Sequence, residues 1–399
     1  MSDNIPLEIQ IEIMKRLPVK SLIQFRSVSK PWKSIIDTPN FIAAHLHHTQ
    51  QHRLLVYCDE PVGDDPNYYV LFADNDTFPQ HKLSLTIPLL VNEFIDYPNI
   101  SIIGSSRGLF CFHGDVPNNP RDASVQPMAI IWNPCVKRVI PVLVPDVTTK
   151  FFICFLGFGV CPTTNDPKII KIRFIRDVSE TITSHIPRQV EVFTLSTRAW
   201  RSSYGNLPPK SIYLRGSALD VDGFLYWLAN DIIAMTNVII SFDLTSEEFR
   251  QVNLPDSLTR CRHINLSISK LRGSLVLSHV IEEGDNCVIS VWLMVGGVAK
   301  SFSKLYSVNV RATYEAWLRG FRKNGEPIIE VLEEDDLPFF KLGVYDPYSK
   351  RISCFLTSGM MSATFEVYPY METLLLLDQT NVAVYNETNS INFLDDLVV

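Results

Sequence analysis

The 399-residue chain has no Cys-x-x-Cys pair, so its eight cysteines, scattered from Cys58 to Cys354, do not spell out a structural zinc site. They are expected to be reduced and buried as small hydrophobes. Four histidines, His45, His47, His48 and His52, have no cysteine or carboxylate set beside them and are expected to form a solvated helix end. No apolar run is long enough to cross a bilayer, which takes roughly 18 residues or more, so no membrane partner is expected. The opening Met-Ser-Asp-Asn lacks the basic and apolar regions of a secretory signal, which points to the cytoplasm or nucleus. On that reading the sequons opened by Asn75, Asn99, Asn265 and Asn386 stay unglycosylated. Basic charge is also short: the net charge is -7 and the pI about 5.7, which opposes nucleic acid as a partner. Phosphate-binding Gly-x4-Gly-Lys-Ser/Thr loops, dinucleotide fingerprints and His-Glu-x-x-His are all missing, and no cofactor or metal is expected.

What is present divides into two patterns. With 46% hydrophobic and 20% charged residues the chain has the composition of a folded protein, and its length suits a small module followed by a large one. Pro6, Pro18, Pro31 and Pro39 recur near apparent helix starts, with Ser29 and Thr38 as candidate N-caps. Four short helices are expected, at Pro6–Leu17, Pro18–Phe25, Lys30–Ile36 and Pro39–Leu46. On a wheel of about 100° per residue the first helix has two apolar sides, one with Ile9, Ile13 and Leu17 and the other with Leu7, Ile11 and Met14. One side can pack on Leu22, Phe25, Val28, Trp32 and Ile36. The other needs cover, either from the rest of the chain or from a second protein.

The run Ile5-Pro6, Glu12-Ile13, Arg16-Leu17-Pro18-Val19-Lys20-Ser21-Leu22, Phe25-Arg26, Val28-Ser29-Lys30, Trp32 and Pro39-x-Phe41 resembles the F-box of the large plant families. Gln10 and Met14 depart from it, standing where leucine-like residues are usual, as does Ser27 where cysteine is common. The resemblance implies a Skp1-type adaptor as partner and, through it, a cullin. Ile5, Pro6, Ile9, Ile13, Leu17, Pro18, Leu22, Val28 and Trp32 would be the core and contact set. It gives an all-α F-box module over residues 1–46 and a polar connector at 47–52.

From Arg53 onward the pattern becomes mainly β and repeats. Strands centred on Trp132, Phe193, Phe242, Trp292 and Tyr345 recur about every 50 residues, most of them running into a polar turn. A glycine-led strand precedes several of them, as at Gly108-Leu109-Phe110, Gly223-Phe224-Leu225 and Gly273-Ser274-Leu275. This period is that of a kelch-like β-propeller of about six blades, with seven or a β-sandwich as the alternatives. The strands at Leu54–Tyr57, Tyr69–Phe72 and Thr364–Leu377 would supply the sixth blade from both ends of the chain. Gly104-Ser105-Ser106-Arg107-Gly108-Leu109, Trp132-Asn133-Pro134, Gly157-Phe158-Gly159 and Tyr345-Asp346-Pro347 make residues 53–399 similar to the F-box-associated domain.

One catalytic pattern, Gly-x-Ser-x-Gly around Ser106, is followed by a strand rather than the helix of a nucleophile elbow. Binding is therefore the expected role, and the resemblance implies a non-catalytic receptor that holds an unknown target protein for a ubiquitin ligase. A lectin-like or small-ligand receptor and a propeller enzyme are the competing classes. The loops joining the glycine-led to the aromatic-centred strands carry Asp115, Asp122, Asp231, Glu282, Glu283, Asp285, Glu333, Glu334, Asp335 and Asp336, an acidic set that would suit a basic target.

Overall fold

The computed structural model describes residues 5–48, 52–58, 69–83, 100–117, 125–145, 152–175, 186–203, 208–209, 211–262, 265–284, 286–296, 301–311, 315–333, 339–358 and 365–377. Four helices come first: α1 (Leu7–Met14), α2 (Val19–Val28), α3 (Lys30–Ile36) and α4 (Pro39–His48). Pro6 and Pro18 sit at the N-caps of α1 and α2, where a missing N–H costs nothing and the ring fixes φ. Their carbonyls take the first helical bonds, from Ile9 and Gln10 and from Ser21 and Leu22. The oxygens of Ser29 and Thr38 accept from the amides of Trp32 and Phe41, as N-caps do.

Three helix ends differ from expectation, the last being that of α4, which runs to His48 rather than Leu46 and so takes in the start of the expected connector. α1 stops at Met14 rather than Leu17, because the residue before a proline is pushed out of the helical region and Pro18 follows Leu17. The chain closes there with tighter bonds, Arg16 N–H to the Ile13 carbonyl and Leu17 N–H to that of Met14. In turn α2 runs on past Phe25 to Val28.

The strands follow in chain order: β1 (Arg53–Cys58), β2 (Tyr69–Ala73), β3 (Lys82–Leu83), β4 (Ser101–Ser106), β5 (Leu109–Pro117), β6 (Val125–Asn133), β7 (Arg138–Leu143), β8 (Phe152–Val160), β9 (Pro167–Ile175), β10 (Ile186–Thr194), β11 (Ala199–Ser203) and β12 (Ile212–Val221). The second half holds β13 (Phe224–Asp231), β14 (Thr236–Asp243), β15 (Phe249–Asn253), β16 (Leu266–Leu271), β17 (Ser274–Glu283), β18 (Asn286–Val295), β19 (Ser301–Arg311), β20 (Ala316–Phe321), β21 (Pro327–Glu333), β22 (Phe339–Asp346), β23 (Arg351–Thr357) and β24 (Phe365–Tyr370). They form six four-stranded sheets, the blades of a β-propeller. Five are consecutive in sequence. The sixth has the order β24-β1-β2-β3, so strands from the two ends of the chain share it. Its last strand is shorter than the expected Thr364–Leu377: β24 ends at Tyr370, and the chain turns at Leu375–Leu377.

Local chemistry explains why the unit repeats. The first and second strands of three blades are joined by two residues with positive φ, Arg107-Gly108, Asp222-Gly223 and Arg272-Gly273, the paired left-handed turn that matches strand twist. The third and fourth strands of four blades are joined through a single left-handed residue, Lys137, Arg198, Glu247 or Lys350. In three of these turns an Asn or Asp closes the turn with its own side chain: Asn133 accepts from the amides of Cys135 and Val136, Asp243 from Thr245 and Ser246, and Asp346 from Tyr348 and Ser349. Just before each turn stands the recurring aromatic, set opposite an apolar partner on the fourth strand, as Phe193 opposite Trp200 and Phe242 opposite Phe249.

The chain divides into two compact units. One holds the four helices, the blade β4–β7 and the segment from Tyr370. Within it Asn133, fully buried, donates to the carbonyls of Thr373 (3.1 Å) and Leu375 (2.6 Å), which fastens the blade to the C-terminal segment. Gly108 is forced here, since a Cβ would lie 2.1 Å from the Met371 carbonyl oxygen.

The other unit holds the remaining five blades, joined by apolar layers. Trp227, Ile240 and Phe242 pack with Ile170, Ile172 and Phe174; Leu254 and Leu258 with Leu266 and Leu277; Val276 and Ile289 with Leu318 and Ile329. The shared blade is bound to its neighbour by Leu54, Val56, Phe72 and Phe365 against Ile328 and Leu342. Glu330 is wholly buried there, pairing with Arg319 and accepting from the Phe365 amide (2.8 Å).

Candidate docking surface on the helical module

Of the two apolar sides of α1, one turns inward. Met14 is buried and Ile11 partly so, and on the following helices Val19, Leu22, Ile36, Phe41 and Ile42 are buried as well. The opposite side stays in solvent: Ile9 and Ile13 are each 51% exposed. Ile5, Leu7 and Val28 are exposed too, Val28 at 74%. Leu7 belongs to the inward side and is exposed at its start, whereas Ile9 and Ile13, one helical turn apart, form an exposed apolar side of the kind that marks an interaction site.

The nine residues of the expected contact set separate by burial. Ile5, Pro6, Ile9, Ile13, Pro18 and Val28 are exposed, Leu17 and Trp32 are half-buried, and Leu22 is fully buried. Leu22 is thus a core residue. Trp32 packs on Phe25 with the rings tilted and their centroids 5.1 Å apart, and donates its Nε1–H to Gln10 Oε1 at 2.9 Å. Gln10 in turn donates from Nε2 to the Ile5 carbonyl at 2.8 Å. The glutamine that departs from the leucine-like pattern therefore ties Ile5 to the indole. A leucine could make neither bond.

His45 was missed as a structural residue. It is buried, and its Nε2 meets the Leu17 carbonyl at 2.8 Å, satisfying an acceptor that the end of α1 leaves open. The i, i+4 relation of Phe41 and His45 and the stop before Pro18 both lie in the local sequence, but nothing local says that these two places meet. Arg26 and Asp37, joined by two hydrogen bonds, brace α2 against the end of α3.

Among the acidic loop residues, Asp115, Glu282 and Glu283 are exposed. Asp231 is half-buried, and its Oδ1 accepts from the amides of Ile233 and Ala234 at 3.0 Å each. Burial pushes its pKa up, but the Ala234 and Ile233 amides and the Ser211 hydroxyl outweigh this and hold it below the ordinary value. Glu333 ends β21, while Asp122, Asp285, Glu334, Asp335 and Asp336 lie outside the described residues. Ser106 of the Gly-x-Ser-x-Gly pattern is buried at the end of β4 and precedes a hairpin turn into β5, not a helix. The cysteines are mostly shielded, though Cys154 and Cys354 are exposed, on strands β8 and β23.

Comparison with known proteins agrees with both halves of the molecule. The F-box domain model matches residues 2–43, and the model described as F-box associated beta propeller domain matches residues 71–389. F-box protein CPR1 of Arabidopsis thaliana is 26% identical over 333 residues, spanning 76% of this chain and 73% of its own. The F-box/kelch-repeat protein At3g23880 of Arabidopsis thaliana is also 26% identical, over 323 residues that span 76% of this chain and 79% of its own. Among solved structures, the β-propeller domain of the Trilobed protease from Pyrococcus furiosus has 15% identity and a TM-score of 0.37, covering 64% of this chain and 70% of that one. With one model matched over most of the chain and the other over its helices, the chain belongs to the plant F-box proteins that carry an F-box-associated β-propeller domain.

Proposed function

We propose that this protein is a non-catalytic substrate receptor of a Skp1–cullin–F-box ubiquitin ligase, docking the Skp1-type adaptor with its helices and holding a target protein with the propeller. The observation that carries this reading is the side of α1 on which Ile9 and Ile13 are each 51% exposed, with Ile5 and Val28 of the same helical module exposed as well. Burying that surface on a partner is favourable at roughly 25 cal/mol per Å² of apolar area. The F-box family implies which partner.

The test exploits the split between surface and core. Ile9→Asp with Ile13→Asp places two charges on already exposed positions, so stability should change by no more than about 0.5 kcal/mol per site. Copurification of a recombinant Skp1-type adaptor should nonetheless be lost. Undiminished capture by the folded double variant would sink the proposal.

A further inference from the structure

The most exposed aliphatic side chains of the five-blade unit stand together on one hairpin. Between β13 and β14 the chain runs Asp231-Ile232-Ile233-Ala234-Met235, and Ile233 is 72% and Met235 77% exposed. A turn that only had to join two strands would be polar or glycine-rich. This one is also held in shape. The Asp231 carboxylate closes it over the Ile233 and Ala234 amides, and the Ile232 amide donates to the Ser211 carbonyl. At the base Asn230 donates to Asn237, whose own amide group donates to the carbonyls of Leu258 and Cys261. Met235 holds φ at +54°, a conformation that costs a non-glycine residue roughly 1–2 kcal/mol and that glycine would adopt freely. An apolar tip on a fixed loop loses little entropy when it is bound.

Next to the tip lies an open recess of about 480 Å³ lined by Thr236, Gln251, Asn253, Asp256, Thr259 and Arg260. The adjoining blade contributes the hairpin β17–β18 at the same end, since Leu254 and Leu258 of the connecting segment pack on Leu266 at the start of β16. That hairpin carries Ile281, 40% exposed, followed by exposed Glu282 and Glu283. Two neighbouring hairpins thus present apolar side chains at one end of their sheets, with exposed carboxylates on the β17–β18 hairpin and Asp256 and Arg260 in the recess beside the β13–β14 tip.

The geometry points to the β13–β14 tip, flanked by the β17–β18 hairpin, as a protein-docking surface whose partner is an apolar stripe bordered by lysines or arginines. This rests on the receptor reading and names the chemical class of its target. Ile233 and Met235 supply the apolar contact, and Glu282 and Glu283 select basic over acidic partners. Met, flexible and polarizable, adapts to an irregular apolar surface.

The full chain in complex with a Skp1-type adaptor is titrated by fluorescence anisotropy with two helical probe peptides, one of leucine and lysine and one of leucine and glutamate in the same heptad pattern. The leucine–lysine probe should bind at least tenfold more tightly. Ile233→Ser with Met235→Gly should weaken it at least tenfold while leaving the melting temperature unchanged or higher, because glycine relieves the left-handed residue. Glu282→Lys with Glu283→Lys should abolish the preference for lysine. Equal binding of both probes, no binding of either up to millimolar concentration, or undiminished binding by the Ser/Gly variant overturns the inference. Failure of the adaptor to copurify overturns the receptor reading instead, and the peptide titration of the chain alone still decides the surface.

Discussion

The helical module and the blades treat apolar surface in opposite ways. In the five-blade unit, residues such as Trp227, Phe242, Ile289 and Leu342 are withdrawn from water between sheets, and even charged groups such as Glu330 are drawn in and paired. In the helices, Ile9, Ile13 and Val28 face solvent although the module has few core residues to spare. The blades satisfy their hydrophobic demand with each other. The helices leave part of theirs unmet, which is what a docking module needs and what a free-standing domain of that size would avoid.

This contrast can be broken most severely inside the blades. Glu330→Ala strands Arg319 without its buried carboxylate and removes the acceptor for the Phe365 amide, so it should cost about 3–5 kcal/mol in a denaturant titration. A loss below 1 kcal/mol would mean the pair contributes little to holding β24. In the helices the comparable change is Leu22→Ala, at a fully buried position, expected to cost about 2–5 kcal/mol. That is enough to unfold so small a module, and far-UV circular dichroism should show loss of helix while the β signal persists.

The turns sharpen the comparison at a smaller scale. Gly223 and Gly273 occupy the same place in neighbouring blades, with φ of +82° and +80°. A Cβ on Gly273 meets nothing within 4 Å, whereas one on Gly223 would lie 2.6 Å from Pro162 Cγ. Gly273→Ala should therefore cost only the left-handed penalty of about 1 kcal/mol, and Gly223→Ala roughly 1–3 kcal/mol more. Equal melting temperatures for the two variants would show that the Pro162 ring moves aside freely.

The last expected effect depends on pH. Glu247 bonds to Lys168 (2.7 Å) and Arg201; burial raises its pKa, but those two cations more than offset this and hold it below the ordinary value. A carboxylate with a depressed folded pKa contributes stability fully above its unfolded value of about 4.3 and loses it as pH falls through the folded one. Glu247→Gln should then cost about 1.5 kcal/mol at pH 7, with the gap to the native chain closing below about pH 4. A gap that is constant with pH would show that the charge contributes nothing.

Much of this molecule was legible because its rules are short-ranged. The turns opened by Gly223 and Gly273, and the polar turns that follow most of the aromatic-centred strands, are each written in a few adjoining residues. Helix starts at Pro6 and Pro18 were readable for the same reason. The acidic loop residues were legible as charges, but not the use made of Asp231, whose carboxylate is engaged by its own loop. Nor was it visible that the tip beside it would be apolar and exposed, because Ile232, Ile233 and Met235 read equally well as core.

By itself the sequence determined where the backbone must turn, since proline, glycine and Asx side chains act on their own neighbours whatever surrounds them. It also determined that α1 would have two apolar sides. Which side goes inward was decided only in the tertiary structure, by the packing of α2 to α4 that takes Met14 and leaves Ile9 and Ile13 in water. The same holds for Gln10 beneath Trp32, His45 on the Leu17 carbonyl and Glu330 at the Phe365 amide. Each of these partners is distant in sequence, and a side chain's hydrogen-bonding or apolar character does not say which distant group will meet it.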